Sequence, residues 1–175
     1  MLYEKIKFAE DPIPWKQKGI RFRDGAIPGF DGIVVGVDPG VNFGMTVINL
    51  EYVQVLHGKL PRRTKRGDHG IDAYGLIHTY FGTWRPGSKI TAIVEGAAYN
   101  RMFKQVELEE VRFGFFFGLH TCGFDVHIVP PAAIRKSAFG HGRTQAGDIW
   151  PFLNGNGADS VGCALAAIDY KETTQ

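Results

Sequence analysis

Apolar and polar residues fall into two alternating periods along the chain. The run "IVVGVD" sets Ile33, Val34, Val35 and Val37 around a single Gly36 and stops on Asp38, which predicts a buried strand over about 33–38. "FGMTVIN" predicts a second strand over 43–49 and "YVQVLHG" a third over 52–58, with connections short enough for antiparallel hairpins. A helical period then takes over. Ile71, Tyr74, Ile77 and Phe81 keep step and predict a helix over 68–81. "KITAIVEG" predicts a short buried strand over 89–96, followed by a long helix over about 102–121. "FDVHIVP" predicts a strand over 124–130, stopped by Pro130 and Pro131. A short helix over 131–138, the glycine-broken loop "GHGRTQAG" and a last helix over 157–169 follow, the last carrying Val161, Ala164, Leu165 and Ile168 on one face.

An antiparallel meander followed by alternating helices and strands is the order of a mixed five-stranded α/β sheet with helices on both faces. Residues 1–31 mix charges with prolines and glycines, show no long period, and are predicted to be an N-terminal arm on a domain spanning 32–175. With 175 residues and 44% hydrophobic content, one compact core is within reach. No apolar run reaches membrane-span length and the start lacks a signal peptide's hydrophobic stretch, so a cytoplasmic protein is expected. Cys122 and Cys163 stand alone, as reduced core thiols would.

Charge changes the picture locally. The net charge is only +2, yet "KLPRRTKR" carries five positive charges and no negative one. Between Asp125 and Asp148 there is no acid, while Arg135, Lys136 and Arg143 are present with His127 and His141. Such stretches can neutralise phosphates even when the total is near zero.

Three acids sit where apolar elements meet loops. Asp38 ends the first strand, Glu95 ends the fourth, and Asp159 begins the last helix. Each has an ordinary explanation as a turn residue, a surface acid or a helix-start acid. Together they suggest more, because the first and fourth strands can lie side by side and bring Asp38 and Glu95 to one ion. Hard oxygen ligands without a Cys or His pair suit Mg²⁺ or Mn²⁺. Carboxylate clusters holding two such ions about 4 Å apart cleave phosphodiesters.

"IVVGVDPGVNFG", "AIVEGAAYN", "VHIVPPAAIRKSAFGHGRT" and "GADSVGCALAA", in that order, resemble the signature blocks of RuvC-type Holliday junction resolvases of the RNase H-like superfamily, over about residues 33–169. The resemblance implies an RNase H-like fold, a homodimer, and paired symmetric nicking of four-way DNA junctions with two Mg²⁺ or Mn²⁺ ions per active site. It places Asp38, Glu95 and Asp159 in the metal site. Asn156 joins them, at a position where the family usually has a further acid or a histidine. It assigns Arg135, with Lys136 beside it, to DNA. Arg143 is a candidate to replace a family lysine that falls near Ala146, and His141, from its place in the basic loop, is a further candidate for phosphate. In the loop after Glu95, Tyr99 is a candidate wedge between bases, Phe103 is a second that equally suits the core face of the next helix, and Arg101 and Lys104 are candidates for phosphates. The stretch from Gln145 to Asn156 is shorter than usual, which cuts one helix to about two turns, and Asp148 within it is a candidate substitute ligand. The compact length suggests a phage or otherwise reduced member.

The helix containing "RFGFFFGLH" is apolar nearly all round and so needs cover on more than one face. Phe113, Phe116 and Phe117 share one side; Phe115 and Leu119 take another, with Gly114 and Gly118 between them. Phe115, Gly118 and Leu119 are the expected dimer contacts. Two other readings remain open: an RNase H-like nuclease for RNA–DNA hybrids or flaps, and a non-catalytic junction-binding protein, which Asn156 favours.

Overall fold

The computed structural model describes residues 19–22, 32–49, 53–61, 68–83, 90–97, 105–153 and 155–173. In chain order the elements are β1 (Gly19–Phe22), β2 (Val34–Asp38), β3 (Asn42–Ile48), β4 (Val53–Lys59), α1 (Asp68–Phe81), β5 (Thr91–Glu95), α2 (Gln105–Thr121), β6 (Asp125–Val129), α3 (Pro131–Phe139), α4 (Ala146–Ile149) and α5 (Gly155–Thr173). The sheet order is β1-β4-β3-β2-β5-β6. The meander β2–β3–β4 is antiparallel, and β5 and β6 add in parallel beyond β2. This is the mixed α/β sheet expected, with one strand more. "GIRF", inside the segment read as an arm, pairs antiparallel with β4 from Gly19 opposite Leu56 to Phe22 opposite Val53.

The two-residue period of the strands sorts side chains between two cores. On one face Val34, Ile48, Val55 and Ile93 meet α3, α4 and α5; on the other Val35, Val37, Met45, Ala92 and Val94 meet α1 and α2. By the same alternation Gly36 and Asp38 on β2, and Ile93 and Glu95 on β5, belong to the α5 face. Val37 pairs with Val94 in parallel register, so Asp38 and Glu95 follow one step later on neighbouring strands.

Two glycines let α5 lie directly on the strands. A Cβ at Gly36 would stand 2.1 Å from the Ala164 nitrogen and 2.3 Å from the Ser160 oxygen; one at Gly44 would stand 1.9 Å from the Asn156 oxygen. The contact is locked by a buried hydroxyl pair. Ser160 donates to the Gly157 carbonyl at 2.8 Å, which leaves the Thr46 hydroxyl to donate to Ser160 Oγ at 2.8 Å. Because the obstructing atoms are backbone, Gly36→Ala is expected to cost about 3 kcal/mol or more. A thermal melt of Gly36→Ala matching the parent would show that α5 can lift without cost.

Two helices turn differently from expectation. In α1 the buried positions are His69, Ala73, Ile77 and Phe81, four residues apart, while Tyr74 is exposed and Ile71 is 70% exposed. In α2 Phe115 and Leu119 are fully buried under the sheet, with Phe115 against Phe43 at a ring separation of 5.7 Å. Gly114 and Gly118 receive α1, since Cβ atoms there would meet the Gly70 oxygen at 2.1 Å and Ile77 Cβ at 2.8 Å. Phe115, Gly118 and Leu119 are therefore buried within the chain itself, which corrects the expectation that they form a dimer surface. The face left outside carries Phe113 and Phe117, 54% and 45% exposed. The shortened helix, α4, is a single turn rather than two. Cys122 and Cys163 are buried free thiols, as expected. Among the described residues no helix is long and apolar enough to cross a membrane.

Candidate active site

At the ends of β2 and β5, where α5 begins, the structure opens a cavity of about 550 Å³ lined by acids and arginines. Asp38 comes from β2, Glu95 from β5 and Asp159 from the first turns of α5, so three distant carboxylates share one wall. α2 supplies Glu109 and Arg112, α3 supplies Arg135, and Gln145 stands just before α4.

The electrostatics are those of acids forced together. Burial, then the charges of Glu95 and Asp159, push the Asp38 carboxyl up to about 8, against the pull of Arg112 and Arg135. Burial and then Asp159 push Glu95 up to about 7, again opposed by Arg135 and Arg112. Burial raises Asp159, and Arg135 lowers it. Two cations inside the wall do not cancel the cost of burying three carboxylates.

Arg112 has no counterpart in the sequence reading. It is 3% exposed, and its Nε donates to the Glu95 backbone oxygen at 2.9 Å. Its Nη1 pairs with Glu109, three residues earlier on α2. An arginine set among apolar residues of a helix was the available signal, since buried charge requires partners.

The remaining expected residues divide. Arg135 lines the cavity, while Lys136, His141 and Arg143 are exposed outside it. His141 Nδ1 accepts the Arg143 backbone N–H at 3.1 Å. Asn156 is not among the cavity's lining residues. Its amide nitrogen donates to the Asn42 carbonyl at 2.6 Å, which fastens the start of α5 to β3. Asp148 is exposed and also outside the lining. Tyr99, Arg101, Phe103 and Lys104 lie outside the described residues.

The donor set fits a hard divalent cation: oxygen ligands only, half-buried, and mutually repelling until a positive charge joins them. Among the described residues no three His, Cys, Asp or Glu side chains are gathered closely enough to hold an ion as they stand. The carboxylates share the cavity and sense one another's charge, so holding an ion requires their side chains to converge.

No protein-family model matches the chain, and no curated protein matches it. Among solved structures, 21 chains match. One is the Thermus thermophilus RuvC structure, with a TM-score of 0.65 and 15% identity over 81% of this chain and 96% of that one. Another is T. thermophilus RuvC in complex with a Holliday junction substrate, with a TM-score of 0.61 and 14% identity over the same shares. The chain thus has the RNase H-like fold of these structures.

Proposed function

We propose that the chain is a divalent-metal-dependent endonuclease that nicks four-way DNA junctions in symmetric pairs. The observation that carries this is the meeting of Asp38, Glu95 and Asp159 from three separate elements in one cavity of a RuvC fold. Partly buried carboxylates with raised pKa values that share one cleft are a signature of a functional site. Asp38, Glu95 and Asp159 would hold the ions, two per site. Bound there, Mg²⁺ or Mn²⁺ would activate the attacking water and stabilise the leaving 3′-oxygen. Arg135, at the cavity edge, faces the incoming phosphate, and Lys136, His141 and Arg143 extend the positive surface along the acid-free segment. The RuvC–junction complex supports branched DNA as the substrate. Nicking of a labelled mobile four-way junction, with a matched linear duplex as control and Mg²⁺ exchanged for EDTA, tests the reading. Equal cutting of both DNAs would point to a less selective nuclease of the same fold.

The placement of Asn156, tied to Asn42 outside the cavity, favours a second reading as a junction-binding protein without catalysis. Tight junction binding with no Mg²⁺- or Mn²⁺-dependent nicking would establish it.

Paired nicks require two sites and hence two copies. The surface for this is the α1–α2 face, where a shallow groove of about 390 Å³ is lined by Ile71, Tyr74, Phe113 and Phe117 among others. Phe113 and Phe117 lie 5.1 Å apart and form a continuous aromatic ridge. An exposed apolar patch of this kind marks an association surface. Phe117→Glu is expected to give a folded monomer, because the side chain is not needed in the core. Sedimentation together with circular dichroism reads both properties, and a folded Phe117→Glu dimer would remove this face from the interface.

A further inference from the structure

We propose that Arg112 is a positioning residue for Glu95, tying the end of β5 to α2 so that the carboxylate is held at the wall of the acidic cavity. The inference deepens the nuclease reading and rests on the cavity as a cation-holding site. Three observations carry it. Arg112 is almost wholly buried, although it lies on a helix whose neighbouring turns expose Phe113 and Phe117. It grips the main chain of Glu95, so its hold survives whatever the carboxylate itself is doing. Its second bond, to Glu109, sets the guanidinium from within its own helix. One planar fork therefore joins two elements that the chain connects through residues 96–104. A guanidinium can make both bonds at once because its donors are fixed in a plane; a lysine ammonium, a point charge on a flexible stem, cannot reproduce the pair.

The consequence concerns the ion. Groups that orient a metal's carboxylate ligands change its affinity by about 10–100-fold when removed. The experiment titrates Mn²⁺ into the full chain by calorimetry, without DNA, for the parent, Arg112→Lys, Arg112→Met and Glu109→Gln. Thermal melts and junction-nicking rates are measured on the same preparations. Arg112→Lys, which keeps the charge, is expected to bind Mn²⁺ about 10–100-fold more weakly and to lose kcat, with junction affinity in EDTA unchanged. Glu109→Gln is expected to fall between Arg112→Lys and the parent. A merely structural role would lower the melting midpoint and leave the Mn²⁺ affinity of the folded protein unchanged. Should Arg112→Met fail to fold, Arg112→Lys and Glu109→Gln decide. Parent-like Mn²⁺ affinity in both would overturn the proposal, as would a parent that binds no Mn²⁺. A parent whose Mn²⁺ affinity depends on Arg112 but which cuts no junction would remove the nuclease reading and leave the positioning role standing.

Discussion

Asp38→Asn, Glu95→Gln and Asp159→Asn are each expected to lower junction nicking by roughly 10²–10³-fold or more, the scale of losing a preorganised charge at the reacting centre. Junction binding in EDTA should change little, because the phosphate contacts proposed for Arg135, Lys136 and Arg143 would remain in each variant. The two halves of this expectation are separable. Binding is read by gel shift at fixed salt, and nicking by product formation over a Mg²⁺ series. The effect should be of similar size for all three, since each carboxylate enters the cavity from a different element and none of the three can stand in for another. A variant at any one position that still nicks near the parent rate would remove that residue from the site.

The second large effect is on stability, and its sign is opposite to the usual one for acids. Most carboxylates in folded proteins are favourably paired and add stability as they ionise. Here burial first, and neighbouring charge second, hold Asp38 at about 8 from an ordinary 3.8, and Glu95 at about 7 from 4.5. Between those limits the folded chain keeps protons that the unfolded chain has released. The unfolded state then binds fewer protons, so stability falls as pH rises. The contribution is fully present below about pH 4 and is lost by about pH 8. Without metal, the chain should therefore melt higher near pH 5 than near pH 8. Mg²⁺ or Mn²⁺ should reduce the difference by supplying the missing charge. Asp38→Asn should melt above the parent at the upper end, with each ~1 kcal/mol recovered worth about 2–4 °C in a chain of this size. Melting midpoints in EDTA that are equal at both pH values, and no gain in Asp38→Asn, would show that neither burial nor neighbouring charge keeps Asp38 and Glu95 protonated in the folded state.

Much of this architecture was legible in residue order. The strand at 33–38 is legible because a short run of β-branched residues around Gly36, closed by the turn residues Pro39 and Gly40, fits a doubly covered strand. Asp38 stood out because a carboxylate ending such a strand needs a reason. What escaped was information held in partners rather than patterns. Periodicity groups Phe115 with Leu119 and Phe113 with Phe117, but a helix apolar on every side does not say which group turns inward. That is decided by Gly114 and Gly118, whose bare backbones admit α1. The same rotation left Ile71 and Tyr74 outside, although they keep step with Ile77 and Phe81. "GIRF" is only four residues long among prolines and glycines, too short to signal a strand until β4 offers it an edge. Arg112 was passed over because the residues it serves, Glu95 and Glu109, lie on different elements. Asn156 is one helical turn before Asp159, as expected, yet its amide is drawn to Asn42 because α5 presses so closely on β3.

The seating of α5 on Gly36 and Gly44 also fixes when this site can exist during synthesis. β2, which bears Asp38, is among the first described elements to emerge, and β5 with Glu95 follows. α5, with Asp159 and almost every residue from Gly157 to Ile168 buried, is the last. Until it arrives, the core that Val34, Ile48 and Ile93 share with α5 is unfilled and the cavity has no third wall. These contacts are long-range in sequence, and long-range contacts form late because their closure entropy must be met first. A growing chain with only β2 and β5 holds two acids at an open sheet end and no enclosed cavity. The three-sided cavity thus forms only when the last helix docks, and a chain that stops short of α5 has the two strand-end acids without the site they share with Asp159.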